Sequence, residues 1–196
     1  MFDFFHFANL ARKGYIRFGE GKIKITNLRV LLFDVESLNA LEKELERIFS
    51  YNGCAYILYR MAMHGGSRAA RAHKEFSGYT GDDLIPYIAK MATGAGWGRI
   101  AVVNTEGPIN EITVQDSPFV KRKKKYPSCH YLRGYFAGAS SYIKKTRYDC
   151  IEVECKSTGA KQCKFLTGKR REFEKSKAYR QHLNQISDFD FDLSGS

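Results

Sequence analysis

Apolar residues recur along the chain at two spacings that predict different elements. Alternation in steps of two predicts strands at 14–18 and 22–26, joined by a turn at 19–21. The continuous apolar run at 29–33 predicts a third, buried strand. Together these patterns predict three short strands near the start of the chain.

Helical spacing follows. Leu38, Leu41, Leu45 and Ile48 lie three or four residues apart, with Ser37 as a candidate N-cap. We expect this helix to end near Gly53. Residues 55–64 are apolar on nearly every side, which predicts a buried helix that Gly65-Gly66 breaks or kinks.

The remaining pattern continues as a mixture of helices and strands. Gly134 and Gly138 are four residues apart in one predicted helix, so another backbone can approach them closely. The pattern at 2–12 also fits a short N-terminal helix. The further predicted elements are a helix at 82–93, strands at 99–104 and 111–115, a helix at 129–143, a hairpin of 150–155 with 162–166, and a basic helix at 169–184.

Length and composition are typical of one globular domain. The chain has 196 residues, 43% hydrophobic, and no stretch approaches the length of a membrane span. Its five cysteines are an odd number in a lysine-rich chain, which favours reduced thiols or metal ligands over disulfides. We therefore expect a cytoplasmic protein with an aromatic arm at 1–13, a main domain at 14–167, and a basic helix with an acidic tail at 168–196.

The positive charge is concentrated in residues 121–180, where 18 Lys and Arg against five acids give +13, compared with +11 for the whole chain. A basic surface attracts nucleic acid, anionic lipid or acidic proteins, without specifying which. The charge run at 121–125 is more typical of a solvated loop, so nucleic acid is a possible but less favoured partner. The candidate residues for anion contact are Lys121, Arg122, Lys123, Lys124 and Lys125.

Four potential metal ligands lie in the same segment: Cys129, Glu152, Cys155 and Cys163. Zinc accepts thiolates and carboxylate oxygen in a tetrahedral shell, and four protein ligands leave no position for a substrate. Simple alternation places Glu152 and Cys155 on opposite faces of a strand, so this set requires a bulge or a strand end. The alternative ligands nearby are His130, Cys150 and Glu154.

The segments around these residues resemble the C-terminal signature of the 4-vinyl reductase domain family. They are the ten residues from Cys129, the tetrapeptide 152–155 and the heptapeptide 159–165. The stretches 29–33, 41–45, 64–66 and 96–98 are similar to earlier elements of that family. The resemblance implies an α+β fold, with helices packed on an antiparallel sheet and a zinc-clamped C-terminal helix and hairpin.

The resemblance also implies function. The family is described as binding small molecules or hydrocarbons, forms dimers and is related to subunits of vesicle-tethering particles. In its phenol-sensing members a Cys-Glu-Cys-Cys set holds zinc, which corresponds to Cys129, Glu152, Cys155 and Cys163 here. The effector contacts of those sensors have no identifiable match in this sequence, and phenol sensing is not carried over.

Several aromatic and methionine residues are candidates for an apolar ligand pocket, although such residues more often belong to a core. No acid, base and nucleophile can be placed together, so we expect no enzyme. We expect instead a zinc-containing homodimeric sensor or adaptor for a small apolar or aromatic ligand that regulates a protein partner. The alternatives are a nucleic-acid-associated regulator and a scaffold or tethering subunit. The candidate pocket residues are Tyr59, Met63, Trp97, Phe136 and Tyr142.

Overall fold

The computed structural model describes residues 9–120 and 123–186. Residues 9–12 are helical, and the rest of the predicted N-terminal helix lies outside the described residues. An antiparallel sheet of three strands follows, in the order β1-β2-β3. The strands predicted at 14–18 and 22–26 are confirmed. The bounds are β1 Ile16–Gly19, β2 Lys22–Ile25 and β3 Leu28–Val30.

The prediction of a buried strand at 29–33 is wrong beyond Val30. β3 ends there, and the next four residues, 31–34, lead to the following helix. Leu31 and Leu32 are 81% and 82% exposed, and Phe33 is 58% exposed. β3 is an edge strand of a small sheet, and within the described residues nothing is packed over the connection that follows it.

A long helix, α1 (Val35–Ser77), comes next. Its N-cap is Asp34 rather than Ser37, because the Asp34 carboxylate accepts a hydrogen bond of 2.8 Å from the Ser37 amide. The helical spacing predicted over residues 37–49 ends where the structure interrupts the helix, although the interruption is at Ser50 and not at Gly53. The break falls at Ser50, whose φ of 62° and ψ of 175° separate a first part, residues 35–49, from a second part, residues 51–77.

The second part of α1 runs straight through Gly65-Gly66, which the sequence analysis expected to break or kink it. Gly66 instead serves packing, since a Cβ there would lie 2.1 Å from the backbone oxygen of Tyr135 on another helix. The helix ends at Gly78, whose φ of 76° suits a glycine cap.

A second sheet supports the main core. It has four antiparallel strands in the order β4-β5-β7-β6. The predicted strands and helices of this region are confirmed, with small differences at their ends. The bounds are α2 Leu84–Gly94 after a 3-10 turn at Gly81–Asp83, β4 Arg99–Asn104, β5 Ile109–Gln115, α3 His130–Lys144, β6 Asp149–Glu154 and β7 Cys163–Gly168.

Helix α3 crosses the second part of α1 at very short range. A Cβ on Gly134 would lie 2.1 Å from the Tyr59 backbone oxygen, and one on Gly138 would lie 1.9 Å from that of Met63. The close backbone approach predicted from these two glycines is confirmed. α3 is therefore held between α1 and the four-stranded sheet, and it positions side chains on both.

The C-terminal segment, residues 169–186, packs on the opposite face of the four-stranded sheet. It consists of α4 (Arg170–Lys175), α5 (Lys177–Arg180) and a 3-10 turn at Leu183–Gln185. The continuous helix predicted at 169–184 is wrong, because Ser176 has extended backbone angles that interrupt it. Phe173 and Ile186 bury themselves against Ile151 and Leu166. Within the described residues, no helix has the length and apolar character needed to cross a bilayer.

Candidate metal centre

The four predicted ligands come from three elements that meet at one end of the four-stranded sheet. Cys129 is the N-cap residue of α3, Glu152 lies in β6, Cys155 directly follows β6, and Cys163 begins β7. The pairing of β6 with β7 shifts register between Glu152 and Glu154. That bulge, together with the strand end at Glu154, brings Glu152 and Cys155 to the same side, as the predicted ligand set requires.

The geometry of the cluster fits a tetrahedral metal ion. All four ligand atoms lie within 4.8 Å of one another, and all four residues are buried. The sulfur of Cys163 is 3.6 Å from that of Cys129 and 4.0 Å from that of Cys155. Zinc–sulfur bonds of about 2.3 Å in a tetrahedron place sulfur atoms about 3.8 Å apart. The spacing of the thiols therefore matches the shell that zinc prefers.

One carboxylate oxygen is left over for a metal. Glu152 is 0% exposed, and its Oε2 accepts a hydrogen bond of 3.2 Å from the Cys129 amide. Its Oε1 is buried without a hydrogen-bond partner among the described residues. A buried carboxylate oxygen without a donor is destabilising, and a bound cation would satisfy it.

Backbone and hydroxyl groups also face the sulfur atoms. The Lys156 amide donates to the Cys163 sulfur over 3.4 Å, and the Ser157 hydroxyl lies 2.9 Å from the Cys155 sulfur. Such hydrogen bonds stabilise thiolates and orient them toward a metal.

The metal-free cluster cannot carry all four negative charges. Hydrogen bonds from the thiols of Cys129 and Cys163 hold the pKa of Cys155 far below its ordinary value. Burial raises the pKa of Glu152 well above its ordinary value. The cluster without a metal therefore retains protons, and a divalent cation would have to displace them as it binds.

The structure separates the alternative ligands from the cluster. The Glu154 side chain is exposed on the outer side of the bulge. His130 Nδ1 faces the Arg133 guanidinium at 2.9 Å, and Cys150 is buried elsewhere on β6 near Tyr59. Glu152 is thus the carboxylate that lies among the three thiols.

The five candidate pocket residues do not surround one cavity. Phe136 lines a small apolar cavity, whereas Tyr59 lines an open groove beside the C-terminal segment. Met63 is fully buried in the helix crossing, and Tyr142 packs against the edge of the core. Trp97 lies against Tyr135, with ring centroids 4.6 Å apart.

The apolar cavity lies between α2, α3 and the strands β4 and β5. Its free volume is about 20 Å³, enough for one or two water-sized groups. Its only side-chain hydroxyls are those of Ser140 and Tyr135. The lining residues are Ile85, Ile88, Ala89, Ala92, Ile100, Val102, Ile112, Tyr135, Phe136, Ala139, Ser140 and Ile143.

A buried polar pair next to this region was missed by the sequence analysis. The Tyr15 hydroxyl lies 2.6 Å from His73 Nδ1, and Phe76 and Tyr87 pack around the pair. Burial lowers the pKa of His73 to about 4, so the imidazole is neutral at physiological pH. The available signal was a single histidine among the alanines 69, 70 and 72, on a helical face that is otherwise apolar.

The basic residues at 121–125 do not form a uniform anion-binding surface. Lys121 and Arg122 lie outside the described residues, and Lys123 is exposed. Lys124 is partly buried and forms ion pairs of 2.6 and 2.8 Å with Glu42 and Glu46. Lys125 lies over the Tyr126 ring at 5.3 Å. Lys124 therefore ties the first part of α1 to the loop that leads into Cys129.

Comparison with known families is consistent with this geometry. Residues 110–169, which contain the whole metal-ligand cluster, match the model of the 4-vinyl reductase domain. This segment of the chain is therefore a 4-vinyl reductase domain. Residues 9–106, half of the chain, match a second model described as activator of aromatic catabolism. A search of curated proteins gave no match.

Solved structures share the fold of this 4-vinyl reductase domain. The phenol-responsive sensory domain of the transcription activator PoxR, solved with phenol, is 23% identical with a TM-score of 0.76, covering 93% of this chain and 96% of that chain. A vinyl-4-reductase family protein from Methanocaldococcus jannaschii is 17% identical with a TM-score of 0.51, covering 70% and 82%.

A third similar structure comes from a vesicle-trafficking assembly. It is a trafficking protein particle complex subunit 3 from Naegleria fowleri, covalently bound to palmitic acid. It is 17% identical with a TM-score of 0.53, covering 68% of this chain and 91% of that chain. At these identities the likenesses show the fold alone.

Proposed function

We propose that this 4-vinyl reductase domain is a non-enzymatic sensor that binds a small apolar or aromatic ligand and passes its occupancy to a protein partner. The observation that carries the proposal is the apolar cavity between α2, α3 and the sheet, adjoining the aromatic rings of Tyr135 and Trp97. The match of residues 9–106 to activators of aromatic catabolism supports it, as does the shared fold with a phenol-responsive domain.

In this proposal a zinc ion has a structural role. Cys129, Glu152, Cys155 and Cys163 would hold it, and a closed shell of four protein ligands fixes a fold without offering a reactive position. Their part is to join the start of α3 to the β6–β7 hairpin. Thiolate ligands require a reducing compartment, so we propose a cytoplasmic location.

The ligand would enter the cavity beside Tyr135. A free volume of about 20 Å³ is too small for an aromatic ring, so the ring must displace part of the wall. The wall most able to move is α2, which supplies Ile85, Ile88, Ala89 and Ala92 and is joined to its neighbours by loops at both ends. Movement of α2 would then report occupancy to a partner.

Ser140 and Tyr135 give the cavity polar groups for a ligand hydroxyl. Tyr15 and His73, which hydrogen-bond each other and pack with Tyr87, are not part of the cavity lining. Apolar sites with one or two well-placed polar groups are typical of small-molecule recognition. We therefore propose a hydroxylated aromatic compound as the first ligand to test.

Trp97 allows a direct binding experiment because it is the one tryptophan of the chain. Its ring contacts Tyr135, Tyr131 and Phe119, so its fluorescence should change when a ligand enters beside Tyr135. Phenol is titrated into the zinc-loaded protein, and calorimetry measures the affinity. The expected result is saturable binding with a fluorescence change.

The variant Ala92→Leu tests the location, since Ala92 lines the cavity and is buried. Filling the cavity should weaken phenol binding about tenfold or more. Ala95→Leu is the matched control, because Ala95 ends the same helix in an exposed position. If phenol and cresols give no saturable binding, or if both variants bind like the wild type, this proposed ligand site is wrong.

We also propose that the protein forms a homodimer through the first part of α1 and the connection before it. Leu31, Leu32, Leu41, Ile48 and Phe49 are large apolar residues that are exposed there. Exposed apolar surface usually marks a protein interface when it forms a large patch. Light scattering should give a dimer, and Leu41→Glu with Ile48→Glu should give a monomer; a wild-type monomer would contradict the proposal.

A further inference from the structure

Arg133 is a buried cation without a carboxylate partner in the described part of the chain. It lies on α3, one turn after Cys129, and is 1% exposed. One terminal nitrogen donates to the backbone oxygen of Gln185 over 2.6 Å, and the other donates to His130 Nδ1 over 2.9 Å. Its guanidinium carbon lies 5.1 Å from the centre of the Tyr59 ring. All of these partners are neutral, so the charge itself is not compensated by them.

A buried charge is strongly destabilising unless an opposite charge lies near it. The contacts point to the metal-ligand cluster, because Arg133 lies one helical turn after Cys129, and Gln185 hydrogen-bonds both Arg133 and the Glu152 backbone. Three thiolates and one carboxylate around a divalent zinc carry a net charge of about −2. A filled metal centre is thus an anion beside a cation that has no other counter-charge among the described residues.

Gln185 connects the same two groups to the C-terminal segment. Its side chain accepts a hydrogen bond of 2.9 Å from the Glu152 amide and donates one of 3.0 Å to the Glu152 carbonyl. β6 is an edge strand, so the Glu152 amide and carbonyl have no neighbouring strand to pair with on that side. The Gln185 side chain supplies both hydrogen bonds instead. Its own backbone oxygen receives the Arg133 hydrogen bond.

We propose that Arg133 supplies the counter-charge of the filled metal centre, and that Gln185 docks the C-terminal segment on it. Loading of the metal then controls whether residues 169–186 are held on the sheet. The proposal rests on the zinc centre described under the proposed function, and it adds a regulated element to that centre. When residues 169–186 are released from the sheet, they can report the state of the metal centre to a partner that binds them.

A second explanation for Arg133 is an anionic ligand in the adjacent groove. The groove has a volume of about 730 Å³ and is lined by Tyr51, Tyr56, Tyr59, Arg133 and Gln185 among others. Recognition of a carboxylate by arginine usually uses two nitrogens at once. Both terminal nitrogens of Arg133 already have partners, which leaves Nε, and the geometry therefore favours the metal centre.

Hydrogen exchange followed by mass spectrometry tests the docking. Amide exchange in residues 169–186 is compared in the zinc-loaded protein and after zinc is removed by a chelator. We expect removal to raise exchange in this segment at least about tenfold. Gln185→Ala should raise it to a similar degree with zinc still bound, whereas Gln181→Ala, an exposed neighbour in the same segment, should not.

Transfer of zinc to a chromogenic chelator tests the counter-charge. Arg133→Met should release zinc about 10–100 times faster than the wild type, in the range known for groups that support metal ligands. Arg133→Lys keeps the charge and should recover much of this loss, which a purely steric role of the side chain would not allow. If Arg133→Met does not fold, the exchange of the Gln185→Ala protein still decides the question of docking.

The outcomes separate this inference from the zinc proposal itself. A protein that purifies without zinc contradicts both. Stoichiometric zinc, with the same exchange in residues 169–186 before and after chelation, contradicts the docking and leaves the structural zinc in place. Unchanged zinc release in Arg133→Met, together with weaker binding of inorganic phosphate or acetate, would assign the arginine to an anionic ligand and overturn the counter-charge.

Discussion

The two halves of α3 face different surroundings. The N-terminal half carries Cys129, His130 and Arg133, buried polar groups with specific hydrogen-bond partners. The C-terminal half carries Ala139 and Ile143, which line an apolar cavity together with three other elements. One half is thus organised by directional polar contacts, and the other by packing that leaves a small gap.

This difference assigns different tasks to the two ends. Buried polar groups tolerate little displacement, because each lost partner is destabilising, so the metal end is suited to fix the fold. Apolar side chains repack with small changes in free energy, so the cavity end can adapt to a ligand. Substitutions at the two ends of α3 and between them should therefore have effects on stability that differ in size and in kind.

The largest effect is expected at the metal end. Cys163→Ser removes a thiolate from the centre and should lower the free energy of unfolding by about 4 kcal/mol, a fall in melting temperature of roughly 10 °C. Chelation of the wild type should give a similar shift. Cys54→Ser is the control, since Cys54 is buried outside the cluster. Equal melting curves for Cys163→Ser and the wild type would remove the basis of the comparison.

A second, smaller effect is expected at the helix crossing between the two ends. Gly134→Ala introduces a Cβ that meets the Tyr59 backbone oxygen, and should destabilise the protein by about 3 kcal/mol. Gly65→Ala is the matched control, because nothing lies within 4 Å of its added Cβ. It should stabilise the helix by about 0.5–1 kcal/mol. Denaturant unfolding that ranks the two variants in the other order would contradict the described crossing.

The smallest effect concerns His73 beside the cavity. Its pKa of about 4 in the folded chain lies below its ordinary value of about 6.5, so at pH 5.5 the unfolded chain binds the extra proton. Stability should therefore fall as the pH is lowered from about 6.5 toward 4, by about 1 kcal/mol at pH 5.5. His73→Gln should lose this part of the pH dependence, so its free energy of unfolding at pH 5.5 should stay closer to its value at pH 7.5. An unchanged pH dependence in the variant would show that His73 titrates normally.

The four residues of the candidate metal centre were predicted from the sequence, and the structure brings them together. Their spacing alone left His130, Cys150 and Glu154 open as alternatives, and the resemblance to the family selected the set. The choice of Glu152 over Glu154 depended on a register shift in β6, which the resemblance to the family favoured and simple alternation did not. The hairpin supplies the shift because two ligands must converge at its end.

The errors have a common physical origin in tertiary contacts. Gly65-Gly66 lies inside a helix because the backbone of α3 packs against Gly66, and no local pattern contains that information. The apolar residues 31–33 are exposed because the strand ends at Val30 and no other described element covers the connection that follows. Of the five predicted pocket residues, Phe136 lines the cavity. The cavity combines residues from four elements, and the periodicity within one element does not show which elements come together.

X-ray absorption at the zinc edge on protein purified without tags or chelators tests the central claim most directly. We expect one zinc per chain, bound by three sulfur atoms at about 2.3 Å and one oxygen at about 2.0–2.2 Å. Glu152→Gln should change the oxygen shell and leave the sulfur shell as it is. Protein that contains no metal, or a metal surrounded mainly by nitrogen and oxygen, would contradict the assignment of Cys129, Glu152, Cys155 and Cys163.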